Sequence, residues 1–248
     1  LRIGKDIIKH HSDIYRRLRN TLRFLIGNLN DFNEIEKLPI DQMPELERWV
    51  MHRIYELDKY LRHFCENFEF HSLFTELHNF CAVDLSAFYF DIRKDSLYCD
   101  QLSSIPRRAT RTLLDQLFTC LTTWFAPFIC FTAEEAWRSR FPTNKDSIHL
   151  QPFPSIPSSW RNDELSERWS KIRDLRRVVT GALEIERIEK RIGSSLEAHP
   201  TVYTSKFYID ELADLDCAEI VITSDITLVE DSAPLNAFIT PIAITINK

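Results

Sequence analysis

The sequence predicts a mainly α-helical protein, with a bundle of long helices followed by a small α/β subdomain. Over the first 140 residues, apolar side chains recur at intervals of three and four, which is the period of an amphipathic helix. Only four of the 248 residues are glycine, and this scarcity argues against a turn-rich β architecture. Segments rich in β-branched residues follow residue 198 and are typical of strands.

Three helices are predicted before residue 95, at about 6–30, 45–67 and 71–94. The apolar stripe of the first consists of Ile14, Leu18, Leu22, Leu25 and Leu29. The stripe of the second consists of Leu46, Trp49, Val50, Ile54, Leu57, Leu61 and Phe64. The stripe of the third consists of Leu73, Leu77, Phe80, Val83, Phe88 and Ile92. Long helices joined by short breaks indicate a helical bundle.

Two further helices complete the predicted bundle. The fourth opens near Pro106, because proline suits the first turn of a helix, and it ends or kinks at Pro127. The fifth begins at Thr132, since Thr132 and Glu135 have the spacing of a capping box. Four tryptophans on the apolar stripes of predicted helices are assigned to the core, namely Trp49, Trp124, Trp137 and Trp169.

A proline-rich segment separates the bundle from the rest of the chain. Residues 142–160 contain four prolines and several serines. Because such a composition marks loops and turns, we expect a linker here, between a bundle at 1–141 and a second domain at 161–248.

The second domain is predicted to begin with a long helix and to continue as an α/β unit. The helix covers about 163–192, and we expect it to stop at Gly193. The segments TVYTSKFY, AEIVITSDITLVE and AFITPIAITIN are predicted strands, because they are rich in β-branched residues. A short helix is expected near 206–213, between the first two strands.

Charge is distributed unevenly along the chain. The net charge is −6, yet residues 1–30 hold seven Lys or Arg against two Asp. Residues 31–80 hold five basic residues against eleven acidic ones, and residues 201–248 hold two against eight. An anionic partner is therefore expected to bind near the basic segment rather than across the whole surface.

The basic segment places a polar strip on one side of the first predicted helix, opposite its apolar stripe. This arginine strip consists of Arg16, Arg19, Asn20 and Arg23. Gly27 continues the line of the strip, Arg17 lies on its flank, and Asp13 is the only acidic residue nearby on that side. Two interpretations stay open, salt bridges to the acidic segment 31–80 or a surface that binds RNA phosphates and bases.

No catalytic or metal-binding pattern is evident. The six cysteines form no CxxC pair, and the eight histidines complete no metal-ligand spacing. We therefore expect reduced, mostly buried thiols in a cytoplasmic protein. Four histidines on amphipathic helices are expected to be packed or surface imidazoles rather than bases, namely His52, His63, His71 and His78. No apolar run approaches the roughly 20 residues of a membrane span, and the start at Leu1 suggests a piece of a longer chain.

Five segments carry a resemblance to a known family. They are DIYRRLRNTLRFLIGNLNDF, MPELERWVMHRI, HNFCAVDLSAFYFDIRKDSLYC, FTAEEAW and RIEKRIGSSLEA, in that order. Together, from about residue 3 to residue 198, they resemble the anticodon-binding helical bundle of isoleucyl-tRNA synthetases, which are class Ia aminoacyl-tRNA synthetases. Valyl and leucyl bundles usually open with a KLWNA-type segment, so RNTLRF favours the isoleucyl family.

The resemblance implies a function for this chain and for a longer enzyme. The intact enzyme would join isoleucine to its tRNA with ATP, and whether it also carries zinc is left open. The HIGH-type and KMSKS signatures do not occur here, so this part alone is expected to be inactive and to hold no cofactor. The expected partner is the anticodon stem-loop of a tRNA, with no membrane contact, and the expected state is a monomer.

The resemblance also implies the residues that contact tRNA. The residues most strongly implied to contact tRNA are those of the arginine strip, Arg16, Arg19, Asn20 and Arg23. Secondary choices are Asn28, Phe32 as a stacking ring, Lys94, Lys190 and Arg191. For Lys190 and Arg191, a cationic helix C-terminus that complements the helix dipole is an equally good explanation.

Three positions depart from the usual pattern of the family. Ser96 replaces a usual arginine, which puts one basic contact in doubt, Cys130 replaces a common proline, and Arg111 replaces a usual glutamine. Two alternatives stay open: the same bundle from a valyl or leucyl enzyme, and a non-enzymatic helical module that docks a protein.

Overall fold

The computed structural model describes residues 3–143, 145–231, 238–239 and 243–247, the last two ranges by their backbone alone. The chain divides into two compact units, residues 1–162 and 163–248. The first is helical and the second combines helices with a sheet, so the predicted fold class, mainly α with a small α/β part, is confirmed.

In its described residues the first unit contains six α-helices and one π-helical segment. They are α1 (Lys5–Asn28), α2 (Glu45–Glu66), α3 (Phe70–Asn79), the π segment (Phe80–Tyr89), α4 (Phe90–Cys99), α5 (Ile105–Phe125) and α6 (Cys130–Arg140). The apolar stripe of α1 is buried at Leu18, Leu22 and Leu25, as its spacing predicts. Short 3₁₀ turns at Glu34–Glu36 and Ile40–Gln42 connect α1 to α2.

The predicted third helix contains a π segment that the sequence pattern did not reveal. Because π-helical bonding adds a residue to each turn, it shifts which positions face the core. Val83, predicted on the apolar stripe, is therefore 50% exposed, and that prediction is wrong. Asp84 is buried instead, and its carboxylate accepts hydrogen bonds of 3.3 Å from the Arg53 guanidinium.

A buried ion pair lies in the centre of the bundle. Arg93 of α4 donates from Nε to Glu47 Oε1 at 2.7 Å and from its terminal nitrogen to Oε2 at 2.9 Å. Tyr89 and Thr110 donate hydroxyl hydrogen bonds to the same carboxylate, at 3.1 and 3.4 Å. Burial, followed by the Glu47 charge, raises the pKa of Tyr89 well above its ordinary value, so its hydroxyl stays a donor. Four polar groups from α2, the π segment, α4 and α5 thus satisfy one another away from water.

The starts of α5 and α6 differ in how they are capped. Ser104 caps α5, since its hydroxyl accepts from the Arg107 amide at 3.3 Å and Pro106 lies in the first turn, as predicted. The predicted capping box at Thr132 is wrong: α6 begins at Cys130, after Ile129, without a side-chain cap. The Thr132 hydroxyl is thereby inside the helix, where it is available for a contact with another element.

The segment predicted as a linker, residues 142–160, packs against the bundle at several points. Ile148 and Trp160 are buried, and Glu134 of α6 accepts from the Ser147 hydroxyl and the Ile148 amide, each at 2.9 Å. Beyond it, the Asn162 amide donates to Nδ1 of the buried His52 at 2.8 Å.

The second unit opens with α7 (Asp163–Ile188), which ends before the predicted stop at Gly193. The amide of Arg191 donates to the Glu186 carbonyl at 2.9 Å and that of Lys190 to the Arg187 carbonyl at 3.0 Å, a Schellman motif. Lys190 is the left-handed residue that this motif requires, with φ of 57°. The prediction of Gly193 as the stop is therefore wrong.

In its described residues, the second unit continues with a four-stranded sheet and two short helices. They are β1 (His199–Tyr203), α8 (Lys206–Leu212), α9 (Cys217–Val221), β2 (Thr227–Val229), β3 (Phe238–Ile239) and β4 (Ala243–Asn247). The strand order is β2-β1-β4-β3, with β1 parallel to β2 and antiparallel to β4. Val202 of β1 is fully buried and pairs with Leu228 on one side and Ile244 on the other.

The predicted strands and the short helix are confirmed in part. The helix expected near 206–213 is α8, whereas AEIVITSDITLVE forms α9 before its strand, because the Asp216 carboxylate caps α9 by accepting from the Glu219 amide at 2.9 Å. Parts of AFITPIAITIN, at residue 237 and residues 240–242, lie outside the described residues.

The side-chain environments of two residue types can be compared with the predictions. Trp49, Trp124, Trp137 and Trp169 are all buried, as predicted. All six cysteines are free, but the expectation that most are buried is wrong, because only Cys81 and Cys120 are. Within the described residues, no helix combines the length and the apolar character that crossing a bilayer requires.

Candidate nucleic-acid interface

The arginine strip lies on the solvent face of α1. Its four members are exposed, while the opposite face of the helix packs Leu18, Leu22 and Leu25 into the bundle. After Asp13, α1 contains no acidic residue as far as its end at Asn28. The strip is therefore a solvent-facing row of positive charge on a helix that is held firmly from behind.

Two arginines of the strip form exposed ion pairs. Arg16 lies 3.0 Å from the Asp13 carboxylate and is 71% exposed, and Arg19 lies 3.1 Å from the Glu135 carboxylate of α6 and is 49% exposed. Exposed ion pairs are weak, because water and salt screen them. Both guanidinium groups thus remain accessible to an anion that would exchange with the carboxylate.

Arg19 is held by groups from two helices. Its guanidinium contacts the Tyr15 hydroxyl at 3.5 Å, and that hydroxyl lies 2.8 Å from Thr132 Oγ1 at the start of α6. The hydrogen bond to Thr132, followed by that from Arg19, lowers the pKa of Tyr15. The bonds from Tyr15 and Glu135 raise the pKa of Arg19, so its charge is retained at any physiological pH.

The other two members, Asn20 and Arg23, have no hydrogen-bond or ion-pair partner among the residues that the structure describes. In that same part of the chain, the ion pairs of the strip go to Asp13 and Glu135 and not to the acidic segment 31–80. The interpretation of the strip as a set of salt bridges to that segment is therefore wrong. The guanidinium of Arg23 is therefore free to bind an anionic ligand.

A pocket of about 580 Å³ lies where α1 ends, and we call it the α1 pocket. It is formed by the end of α1, the turn that follows it, the end of α4 and the start of α5. Its lining residues are Gly27, Asn28, Asn30, Asp31, Asn33, Glu36, Leu97, Tyr98, Leu102, Arg107 and Arg111. The arginine strip therefore leads along α1 towards an open depression that contains polar and aromatic groups.

The wall of the α1 pocket is fixed by Arg111, one of the three residues expected to depart from the family pattern. Its guanidinium donates to Glu36 at 2.6 Å and to the Asn30 carbonyl at 2.7 Å. It also lies over the ring of Phe32, 5.3 Å from the ring centroid. One face of the half-buried Phe32 ring is thus covered, which leaves less of it available for the stacking role expected from the resemblance.

The remaining predicted contacts belong to different elements of the two units. Asn28 lines the α1 pocket and donates to the Phe24 carbonyl at 2.9 Å. Lys94, on α4, pairs with Asp91 at 3.0 Å and is not among the residues that line the pocket. Lys190 and Arg191 belong to the second unit, where Lys190 is exposed in the cap of α7. Arg191 is already bound to Glu186 at 2.5 and 2.6 Å, which raises its pKa.

Sequence reasoning missed several residues that support or extend the site. Thr132 and Glu135 were assigned to a cap, although they hold Tyr15 and Arg19. Tyr98, 64% exposed beside α1, was not considered, because no local pattern connects residue 98 with residue 28. Ser96, at the position of a usual arginine, is buried, so this position faces the interior.

The described part of the chain contains no metal-ligating cluster beside the interface. There, no group of three or more His, Cys, Asp or Glu side chains has an arrangement that suits a metal ion. What the described arrangement provides is binding chemistry, with guanidinium groups for phosphates and a polar, partly aromatic depression beside them.

Comparison with known proteins shows which family this chain resembles. The family model described as "Anticodon-binding domain of tRNA ligase" matches residues 47–202. The isoleucine–tRNA ligase of Agrobacterium fabrum is 51% identical over 238 residues, which is 96% of this chain and 24% of the relative. The corresponding ligases of Mesorhizobium japonicum and Bartonella quintana are 48% and 46% identical, with the same coverage. The chain thus spans about a quarter of the length of these relatives.

Proposed function

We propose a function from one premise: the chain belongs to the anticodon-binding domain family of tRNA ligases. In this proposal, the chain binds the anticodon stem-loop of an isoleucine tRNA as part of an isoleucine–tRNA ligase. The whole enzyme would attach isoleucine to that tRNA with ATP. The chain supplies the binding of the distal end of the tRNA and none of the chemistry.

The observation that carries the proposal is the exposed arginine strip on α1. Arg23 and Asn20 have no partner in the described part of the chain, and Arg16 and Arg19 have only exposed carboxylate partners. An RNA backbone offers a row of phosphates, and guanidinium groups bind phosphate oxygens with two parallel hydrogen bonds. The strip lies on a helix whose other face is buried, so the cations are presented in a fixed arrangement.

The proposed role uses the chemistry by which proteins read RNA. Sequence-specific recognition of RNA is directed at unpaired bases, which can be splayed out, stacked and hydrogen-bonded at their edges. An anticodon loop offers such bases. Phosphate contacts along α1 would fix the position of the loop, and groups at the end of α1 would then face its bases.

The relatives are the reason for proposing isoleucine as the amino acid that the whole enzyme would attach. The relatives from three organisms are named isoleucine–tRNA ligases, and they match 96% of the chain at 46–51% identity. This support favours isoleucine over the valyl and leucyl bundles that the sequence left open. It also favours tRNA binding over the alternative of a non-enzymatic protein-docking module.

The strip is tested by reversing two of its charges. Arg19→Glu with Arg23→Glu should weaken binding of the isoleucine anticodon stem-loop at least about tenfold for each phosphate that the variant no longer binds. The slope of log affinity against log salt concentration should fall by about one for each such phosphate. Fluorescence titration of a labelled hairpin over a range of salt concentrations measures both quantities.

A matched control changes the net charge equally at another place. Lys59→Glu with Arg177→Glu alters two exposed cations outside α1, so it should leave hairpin affinity within about twofold apart from general screening. Thermal unfolding of both double variants should stay near that of the parent, since exposed ion pairs stabilise little. Unchanged hairpin binding by the α1 variant, or equal binding of an unrelated hairpin by the parent, would refute the proposal.

Two further expectations stay predictions. The chain is proposed to act as a monomer, which sedimentation of the chain with and without the hairpin checks. A cytoplasmic location follows only from the expected role in translation, and fractionation of cells that express the chain checks it.

A further inference from the structure

The charge of the α1 pocket differs from that of the strip beside it. Two arginines line the pocket, Arg107 and Arg111, and two acids, Asp31 and Glu36, offset them. Arg111 is bound to Glu36 at 2.6 Å and is buried, so it is not available to an incoming anion. A phosphate entering the pocket would meet two carboxylates, whereas α1 itself carries no acidic residue after Asp13 and its strip meets one exposed carboxylate from another helix, that of Glu135. The pocket therefore suits an uncharged group.

The pocket presents apolar surface to solvent at its mouth. Two apolar residues there are exposed, Tyr98 at 64% and Leu102 at 70%. Tyr98 has no ring, hydrogen-bond or cation partner in the described part of the chain. An exposed, unpartnered aromatic ring beside a depression of this size offers a face on which a flat aromatic ligand stacks.

Two further residues that line the pocket, Asn28 and Asn30, carry hydrogen-bond acceptors. The amide nitrogen of Asn28 is bound to the Phe24 carbonyl, and that of Asn30 to the Asp31 carboxylate. Within the described residues, the side-chain oxygens of Asn28 and Asn30 have no donor. Amide oxygens of this kind accept from the amino or imino groups at the edge of a nucleobase.

We propose that the α1 pocket takes one unpaired base of the bound RNA loop, stacked on Tyr98, while the adjoining phosphates lie along the arginine strip. The inference rests on the proposed function and adds to it a defined subsite. The neutral pocket binds the base, and the cationic strip binds the backbone. The free amide oxygens favour a base that carries an amino group at its edge.

Gly27 makes the subsite testable without disturbing the fold. It lies where the strip meets the pocket, and a Cβ added there would meet no atom within 4 Å. A larger side chain at this position therefore projects into free space at the mouth of the pocket. Because glycine is a poor helix former, Gly27→Leu should not lower the stability of α1.

The experiment combines protein variants with abasic hairpins. The probe is the isoleucine anticodon stem-loop, intact or with one loop base removed at a time, and affinity is measured by fluorescence titration. Tyr98→Ala should weaken binding of the intact hairpin about 5- to 100-fold. With one particular abasic hairpin, the same substitution should have no further effect, because the base and the ring act as a pair. Tyr98→Phe should bind like the parent, and Gly27→Leu should resemble Tyr98→Ala.

The control is Tyr60→Ala, which removes a comparably exposed tyrosine from α2 and should change no affinity. Two results would contradict the inference. In the first, Tyr98→Ala weakens binding of every abasic hairpin as much as that of the intact one. In the second, Tyr98→Ala does not weaken binding of any hairpin, intact or abasic. In either case, continued sensitivity to the strip variants would leave the proposed function standing. If the hairpin binds no better than an unrelated one and the strip is insensitive too, both proposals fail.

Discussion

The guanidinium of Arg19 is fixed in position by neighbouring side chains and is still accessible to a phosphate. The Glu135 carboxylate and the Tyr15 hydroxyl fix its guanidinium, and Thr132 in turn fixes Tyr15. Because the ion pair is exposed, exchanging the Glu135 carboxylate for a phosphate costs little. A cation that is positioned before its ligand arrives loses less side-chain entropy on binding.

Glu47 is the opposite case, a charged residue whose contacts are internal. It is fully buried and accepts from Arg93, Tyr89 and Thr110. Glu47→Ala should lower the free energy of unfolding by about 3–5 kcal/mol, because it leaves the Arg93 charge buried without a counter-charge. Urea unfolding monitored by tryptophan fluorescence measures the decrease.

An exposed pair on the same helix as Arg93 provides the comparison. Asp91→Ala removes the half-exposed partner of Lys94 and should cost no more than about 1 kcal/mol. Equal decreases for Glu47→Ala and Asp91→Ala would contradict the assignment of the Glu47–Arg93 pair to the core.

At the scale of the element, the π segment decides which residues of the run 70–99 are buried. A regular α-helix would place Val83 on the apolar stripe, but the π segment exposes it and buries Asp84 next to Arg53. The stripes of α1 and α2 are regular, and there the predicted core positions Leu22 and Ile54 are buried. Period alone thus predicts a helix face only where the hydrogen-bonding pattern stays regular.

The end of α7 yields a prediction about backbone conformation. Lys190 occupies the left-handed region with φ of 57°, where a side chain is unfavourable and glycine is not. Lys190→Gly should therefore raise the free energy of unfolding of the second unit by about 1 kcal/mol. Chemical denaturation followed by circular dichroism measures the change.

The matched control places the same glycine inside the helix. Arg177 lies in the middle of α7 and is exposed, so Arg177→Gly should lower the stability by about 1 kcal/mol. A decrease of stability in both variants would show that the cap of α7 does not depend on a left-handed residue at position 190.

At the scale of the whole molecule, the boundary between the two units can be tested by truncating the chain. The first unit extends to residue 162, because Ile148 and Trp160 are buried in it and the Asn162 amide binds His52. A chain of residues 1–162 should unfold cooperatively and keep the strip-dependent affinity for the hairpin. A chain of residues 1–141 should be less stable, by about 1.5–3 kcal/mol for each buried apolar side chain removed.

Thermal unfolding and hairpin titration of the two truncated chains check this expectation side by side. Equal stability of both chains would mean that residues 142–160 act only as a connection. Loss of hairpin affinity in the 1–162 chain, with its fold intact, would mean that the second unit carries part of the binding surface.

The sequence by itself determined the features that depend on neighbours along the chain. The helices were predictable because apolar residues at intervals of three and four bury one face, as Leu18, Leu22 and Leu25 do in α1. The strip was predictable for the same reason, since Arg16, Arg19 and Arg23 share the opposite face of that helix. Four of the five resembling segments overlap the region that the family model matches, so the family too was within reach of the sequence.

Only the tertiary structure decided the features that join distant residues. Glu135 binds Arg19 across 116 positions instead of capping its own helix, and Tyr98 reaches the end of α1 only because α4 packs near it. The π segment that exposes Val83 and the left-handed Lys190 likewise follow from packing and hydrogen bonding, which periodicity does not encode. The spacing of residues along the sequence determines which side chains share a helix face. Which distant residues that face contacts depends on the free energy of the whole packed chain.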